Sequence, residues 1–128
     1  MVSSFTVNGY TWRVKMVPPE SDALIDRTNT LRLATTDPDT MTIYLSSILK
    51  GSMLTRVLIH EIGHCIIWSY GLFDEIHRMV KPWYWQEAEE WICNFVADYG
   101  MTIFDRASKI LGTKALYCVP EAMEKLIA

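Results

Sequence analysis

Apolar and polar residues alternate from Phe5 to Val17 around the dipeptide Asn8-Gly9. A period of two interrupted by residues that tolerate positive φ predicts a β-hairpin. Pro18-Pro19 ends its second strand, and residues 20–29 predict one or two short helical turns. Alternation returns in Thr30-Leu-Arg-Leu-Ala-Thr35 and in Met41-Thr-Ile-Tyr-Leu45, joined through Asp37-Pro38-Asp39. Asp-Pro-Asp is turn chemistry, so a second antiparallel pair is expected.

After Gly51-Ser52 the pattern changes to one that is apolar nearly all round, which predicts a buried helix over residues 53–70 with Ser52 as N-cap and Gly71 as C-cap. Residues 72–81 look like a mixed connector. Pro82 suits the first turn of a second long helix, which runs through Tyr99 and past Gly100 to Leu111 before Gly112 stops it. On this helix Ile92, Phe95, Val96, Tyr99 and Ile103 form a bulky stripe expected to fill the core. Glu90, Asn94, Ala97 and Met101 form a face of smaller side chains expected to lie against the first helix. A short terminal helix is expected over residues 119–127. Strands first and helices after indicate an α+β fold: one domain over 1–128, a small N-terminal antiparallel sheet packed on the two helices.

A chain of 128 residues, half of them hydrophobic, has room for one compact core. The formal net charge of −3, with no Lys/Arg cluster, argues against a nucleic-acid partner. The apolar stretch Leu54 to Phe73 approaches membrane length, but Arg56, His60, Glu61 and His64 interrupt it and each is costly in lipid, so no membrane span is expected. The N-terminus has neither a basic n-region nor an apolar h-region, so no signal peptide is expected. Cys65, Cys93 and Cys118 are odd in number and widely spaced, which suits buried thiols in a reducing, cytoplasmic compartment. No feature of the pattern specifies an oligomer.

Within the buried helix His60-Glu61-Ile62-Gly63-His64 is an HExxH pentapeptide. Positions i and i+4 share a helical face, so both imidazoles can reach one ion, and Glu61 stands beside it as a candidate general base. Buried ionisable groups are costly unless paired or coordinated, and three in five residues are best explained by zinc. An exposed chance match would have polar neighbours; here they are Leu, Ile, Val, Cys and Trp. Cys65 follows His64 directly but lies about 100° around the helix from it, on the side of Leu58 and Ile62, where core packing suits it better than ligation.

Catalytic zinc takes three protein ligands and keeps one position open. The second long helix offers Glu87, Glu89 and Glu90 as the third. Glu90 is preferred because it shares the small-residue face with Asn94 and Ala97, and Asn94 at i+4 is a candidate hydrogen-bond partner; Glu89, near the edge of the bulky stripe, is the alternative. His77, Tyr70 and Tyr84 are candidates for stabilising an oxyanion, although structural or surface roles suit each of them better.

The pentapeptide followed by an acidic helix resembles the gluzincin zinc metallopeptidases, and the small size and element order resemble the minimal phage and prophage metallopeptidases related to the ImmA/IrrE family. The resemblance covers residues from about 30 to 100. It implies a zincin-like fold, one zinc and endopeptidase activity on a protein or peptide, with His60 and His64 as ligands and Glu61 as base. That family typically carries Glu-Ala-Asn followed by Phe-Ala, whereas here Glu89-Glu90-Trp-Ile-Cys-Asn94-Phe-Val-Ala97 stands in its place. A non-catalytic zinc-binding module that regulates or binds a partner is the alternative function.

Overall fold

The hairpin turn forms where Asn8 and Gly9 allow it: both residues have positive φ, 46° and 81°. A computed structural model of the chain describes residues 3–112, so the expected terminal helix and Cys118 lie outside the described residues. Contacts divide the chain into two units, Met1–Asp98 and Tyr99–Ala128. The described part of the second is the end of one helix.

Strand β1 (Ser4–Val7) pairs antiparallel with β2 (Tyr10–Val17), setting Phe5 opposite Trp12. Strand β3 (Ala34–Asp37) pairs antiparallel with β4 (Thr42–Ser46), setting Thr36 opposite Ile43. The sheet order is β1-β2-β4-β3, and β2 runs parallel to β4 with Val14 opposite Ile43. The sheet is therefore mixed, not antiparallel as expected. Alternation specifies each hairpin locally but not which strands of two hairpins meet.

β3 also begins four residues later than the alternation suggests. Asp26 Oδ1 accepts from the backbone of Thr28 and Thr30, and Arg32 Nε donates to Asp26 Oδ2 at 2.6 Å. This Asx-type loop holds residues 26–32 off the ladder, leaving Leu31 only an isolated bridge to Ile25. Before it, a 3₁₀ turn over Asp22–Leu24 buries Leu24 completely.

Helix α1 (Gly51–Ser69) covers one face of the sheet. Trp12, Ile43, Leu45, Leu49 and Cys65 are buried there, with Val14, Ala34, Leu58 and Ile62 packed around them. Ser52 is not its cap: the N-cap position is Lys50, with no side-chain hydrogen bond. At the other end Gly71 N–H bonds to Trp68 O at 3.1 Å and Leu72 N–H to Ile67 O at 2.9 Å, the 5→2 and 6→1 pair of a Schellman motif. Two side chains tie the hairpin to this helix end: Trp12 Nε1 donates to Ser69 Oγ at 2.9 Å, and Asn8 Nδ2 to Ser69 O at 2.8 Å.

Residues 72–81 are not a plain connector, since Phe73–Met79 form helix α2, with Asp74 and Glu75 in its first turn and His77 and Arg78 in its last, as the helix dipole favours. A 3₁₀ turn, Pro82–Tyr84, leads into helix α3 (Trp85–Leu111). Ile67, Ile76 and Cys93 form a second buried cluster with Leu72, Phe73, Val80, Ala88 and Ile92 around it. Of the bulky stripe of α3 only Ile92 packs on a core: Phe95, Val96, Tyr99 and Ile103 are exposed, and the buried residues of α3 are Cys93 and Ala97. A Cβ on Gly63 would meet Cys93 Sγ at 3.1 Å and Cys93 Cα at 3.4 Å. At that separation only small residues fit between α1 and α3.

No helix among the described residues is long and apolar enough to cross a membrane.

Candidate metal centre

The close approach at Gly63 brings the carboxylates at the start of α3 onto the histidines of α1. His60 Nε2 and His64 Nε2 lie 3.2 Å apart. Glu90 Oε2 is 3.1 Å from His60 Nε2, and Glu90 Oε1 is 3.2 Å from His64 Nε2. Zinc–nitrogen bonds of about 2.0–2.1 Å in a tetrahedron separate the donors by about 3.3 Å. The two imidazole nitrogens have that separation, and one ligand atom each from His60, His64 and Glu90 lies within 4.8 Å of the others, within reach of a single ion. The donor set also fits: two neutral imidazoles and one carboxylate are ligands of the type that catalytic zinc takes. Among the described residues, no other His, Cys, Asp or Glu joins this group.

The structure brings together His60, His64 and Glu90, and gives Glu89 a different partner. Glu89 Oε2 lies 2.5 Å from His64 Nδ1. A carboxylate on the far nitrogen of a metal-binding histidine fixes its tautomer and ring orientation, leaving Nε2 free to ligate. His60 has no such partner: its Nδ1 is buried without a hydrogen bond.

Charge follows from this crowding. Burial opposes a charged His64, but hydrogen bonds to Cys93, Glu89 and Glu90 outweigh it and raise its pKa to about 12. Hydrogen bonds from His60 and His64 hold the Glu90 carboxyl well below the usual carboxylate range. In the metal-free protein a proton on His64 therefore occupies the charge that a cation would supply.

Glu61 is buried, with 6% of its surface exposed. Burial pushes its carboxyl pKa up, against the opposing pull of His64, His60 and a hydrogen bond from Thr36. Thr36 Oγ1, on edge strand β3, donates to Glu61 Oε2 at 3.0 Å. Nothing in the sequence singles out this threonine, since β3 carries two in succession.

Other candidates fall elsewhere. The His77 ring stacks on Trp85 with centroids 3.7 Å apart. Tyr70 is the exposed C-cap residue of α1, and Tyr84 is exposed in the 3₁₀ turn before α3. Cys65 lies in the sheet-facing core, where burial raises its thiol pKa to about 12, so it stays protonated and apart from the donors. Asn94 Oδ1 accepts from Arg56 Nη2 at 3.5 Å. No family model, curated protein or solved structure matches the chain.

Proposed function

We propose that the chain is a zinc-dependent endopeptidase with a zincin-like fold, His60, His64 and Glu90 holding the metal and Glu61 acting as general base. The observation that carries this is a three-donor group without a fourth protein donor among the described residues, beside a buried carboxylate from the same pentapeptide. Zinc, when bound, supplies a Lewis acid that acidifies water and polarises a carbonyl.

The chain's own residues do the rest. Glu61, its pKa raised by burial, accepts the proton of the attacking water and delivers it to the leaving amine. Thr36 holds one oxygen of that carboxylate in place. Glu89 keeps His64 Nε2 turned to the donor group. Because β3 is an edge strand and carries Thr36, an extended peptide that adds to this edge comes beside Glu61. The expected substrate is therefore an extended segment of a protein or peptide.

The test combines metal analysis with cleavage of a proteome-derived peptide library. Wild-type protein should carry about one zinc and cut the library. Glu61→Gln should keep its zinc and cut at least about a hundredfold more slowly, the contribution of a general base. Equal cleavage by Glu61→Gln would overturn the mechanism. Zinc retained with no cleavage by the wild type would leave a non-catalytic metal-binding module.

A further inference from the structure

Arg56 stands one helical turn before His60, which itself stands one turn before His64, so the three share a face of α1. On α3, Glu90, Asn94 and Asp98 are spaced in the same way. Arg56 Nε donates to Asp98 Oδ1 at 2.7 Å, and Arg56 Nη2 to Asn94 Oδ1 at 3.5 Å. The two rows meet in opposite order, with His64 and His60 on Glu90 and Arg56 on Asn94 and Asp98.

We infer that Arg56 is a positioning residue for the metal centre: by gripping Asn94 and Asp98 it sets the rotation of α3 on α1, and so holds Glu90 rather than Glu89 at the two Nε2 atoms. This rests on the metal centre proposed above. Glu89 and Glu90 are about 100° apart around α3. The contact between Gly63 and Cys93 fixes how close the helices come, but a contact between two such small residues does little to resist rotation. A planar guanidinium bridging two acceptors a turn apart does resist it. Both partners of the ion pair are about two-fifths exposed, so the pair adds little to overall stability. Its effect falls on geometry.

Zinc affinity, measured by competition with a chromophoric chelator, and the visible spectrum of the cobalt(II) form test this. Arg56→Ala and Asp98→Asn should each weaken zinc binding by about threefold to tenfold, between what an exposed pair and an outer partner of a ligand contribute. Both should shift the cobalt bands, because the coordinating carboxylate moves, while far-UV circular dichroism stays unchanged. The exchanged pair, Arg56→Asp with Asp98→Arg, should recover affinity and spectrum. A merely structural role would lower the melting temperature without altering the cobalt bands. Wild-type affinity and spectra in both single variants would overturn the inference, as would an exchanged pair no better than Arg56→Asp alone. If Arg56→Ala fails to fold, Asp98→Asn and the exchanged pair decide. A wild-type protein that takes up neither zinc nor cobalt would instead overturn the metal centre, and the inference with it.

Discussion

Glu89 and Glu90 differ by one peptide bond and about 100° around α3, and that rotation gives them separate partners: Glu90 spans both Nε2 atoms, while Glu89 meets His64 Nδ1. Truncating each should have unequal effects. Glu89→Ala leaves all three donors in place and should weaken zinc binding about 10- to 100-fold, the usual effect of losing an outer partner. Glu90→Ala removes a donor and should weaken it further. A larger loss from Glu89→Ala would exchange their roles. The proton on His64 gives a second expectation. In the metal-free protein its pKa is raised to about 12, and a zinc ion bound there would have to displace that proton. Between pH 6 and 9 zinc affinity should therefore rise about tenfold per pH unit, with about one proton released per zinc from His64. Calorimetry in buffers of different ionisation enthalpy reads this directly, and pH-independent binding would show that His64 binds no proton at that site. Stability of the metal-free protein has the opposite slope. A histidine whose folded pKa is raised stabilises most below its ordinary value near 6.5, and the gain is lost as pH climbs towards about 12.

At the scale of elements, the centre depends on how closely α3 packs on α1. Gly63→Ala tests this, since the added Cβ would stand 3.1 Å from Cys93 Sγ, and Cys93 is fully buried. Alanine gains about 1 kcal/mol of helix propensity over glycine, whereas overpacking costs roughly 1–3 kcal/mol. We expect a net loss of about 1 kcal/mol in chemical denaturation and weaker zinc binding, both relieved by adding Cys93→Ala. Stabilisation with unchanged affinity would show that the helices yield without cost. The same packing explains which elements could be read from the chain. Asn8-Gly9 and the apolar run around the pentapeptide are local signals, so the hairpin and α1 were readable. The HExxH spacing likewise carries its own geometry, because i and i+4 meet on any helix. The parallel pairing of β2 with β4 is a choice between distant segments that alternation cannot encode. α2 is seven residues long and buries only Ile76, too little for a period to show. The expectation that the Phe95 and Tyr99 stripe fills the core failed because Gly63 draws the small residues of α3 inward, which is visible only once both helices are placed. Glu90 could be preferred for its small-residue face. The partner of Glu89 and the grip of Arg56 required the rotation of α3.

For the molecule as a whole, the centre concentrates an unfavourable charge. Glu61, Glu89 and Glu90 converge around two imidazoles in a chain whose formal net charge is −3, and Glu61 is nearly sealed from water. Burying carboxylates without enough positive charge opposes folding, and a divalent ion held by the donor group would offset that cost. Binding to the folded state alone stabilises by RT ln(1 + [L]/Kd), about 4 kcal/mol when free zinc exceeds Kd a thousandfold. For a chain of 128 residues this corresponds to a rise in melting temperature of roughly 10–15 °C. Thermal unfolding in chelator and then along a zinc series should show a midpoint that climbs with the logarithm of free zinc. Magnesium should not reproduce it, because two imidazole donors suit zinc and not a hard cation that prefers oxygen. His60→Ala or His64→Ala should abolish the zinc-dependent rise, whatever either does to the metal-free midpoint, because each removes one of the three donors. Glu61→Gln should preserve most of the rise, since Glu61 stands outside the donor group and contributes only its nearby charge. That contrast separates holding the metal from using it. A wild-type midpoint that does not move at any zinc concentration would mean that His60, His64 and Glu90 meet without serving as a metal site.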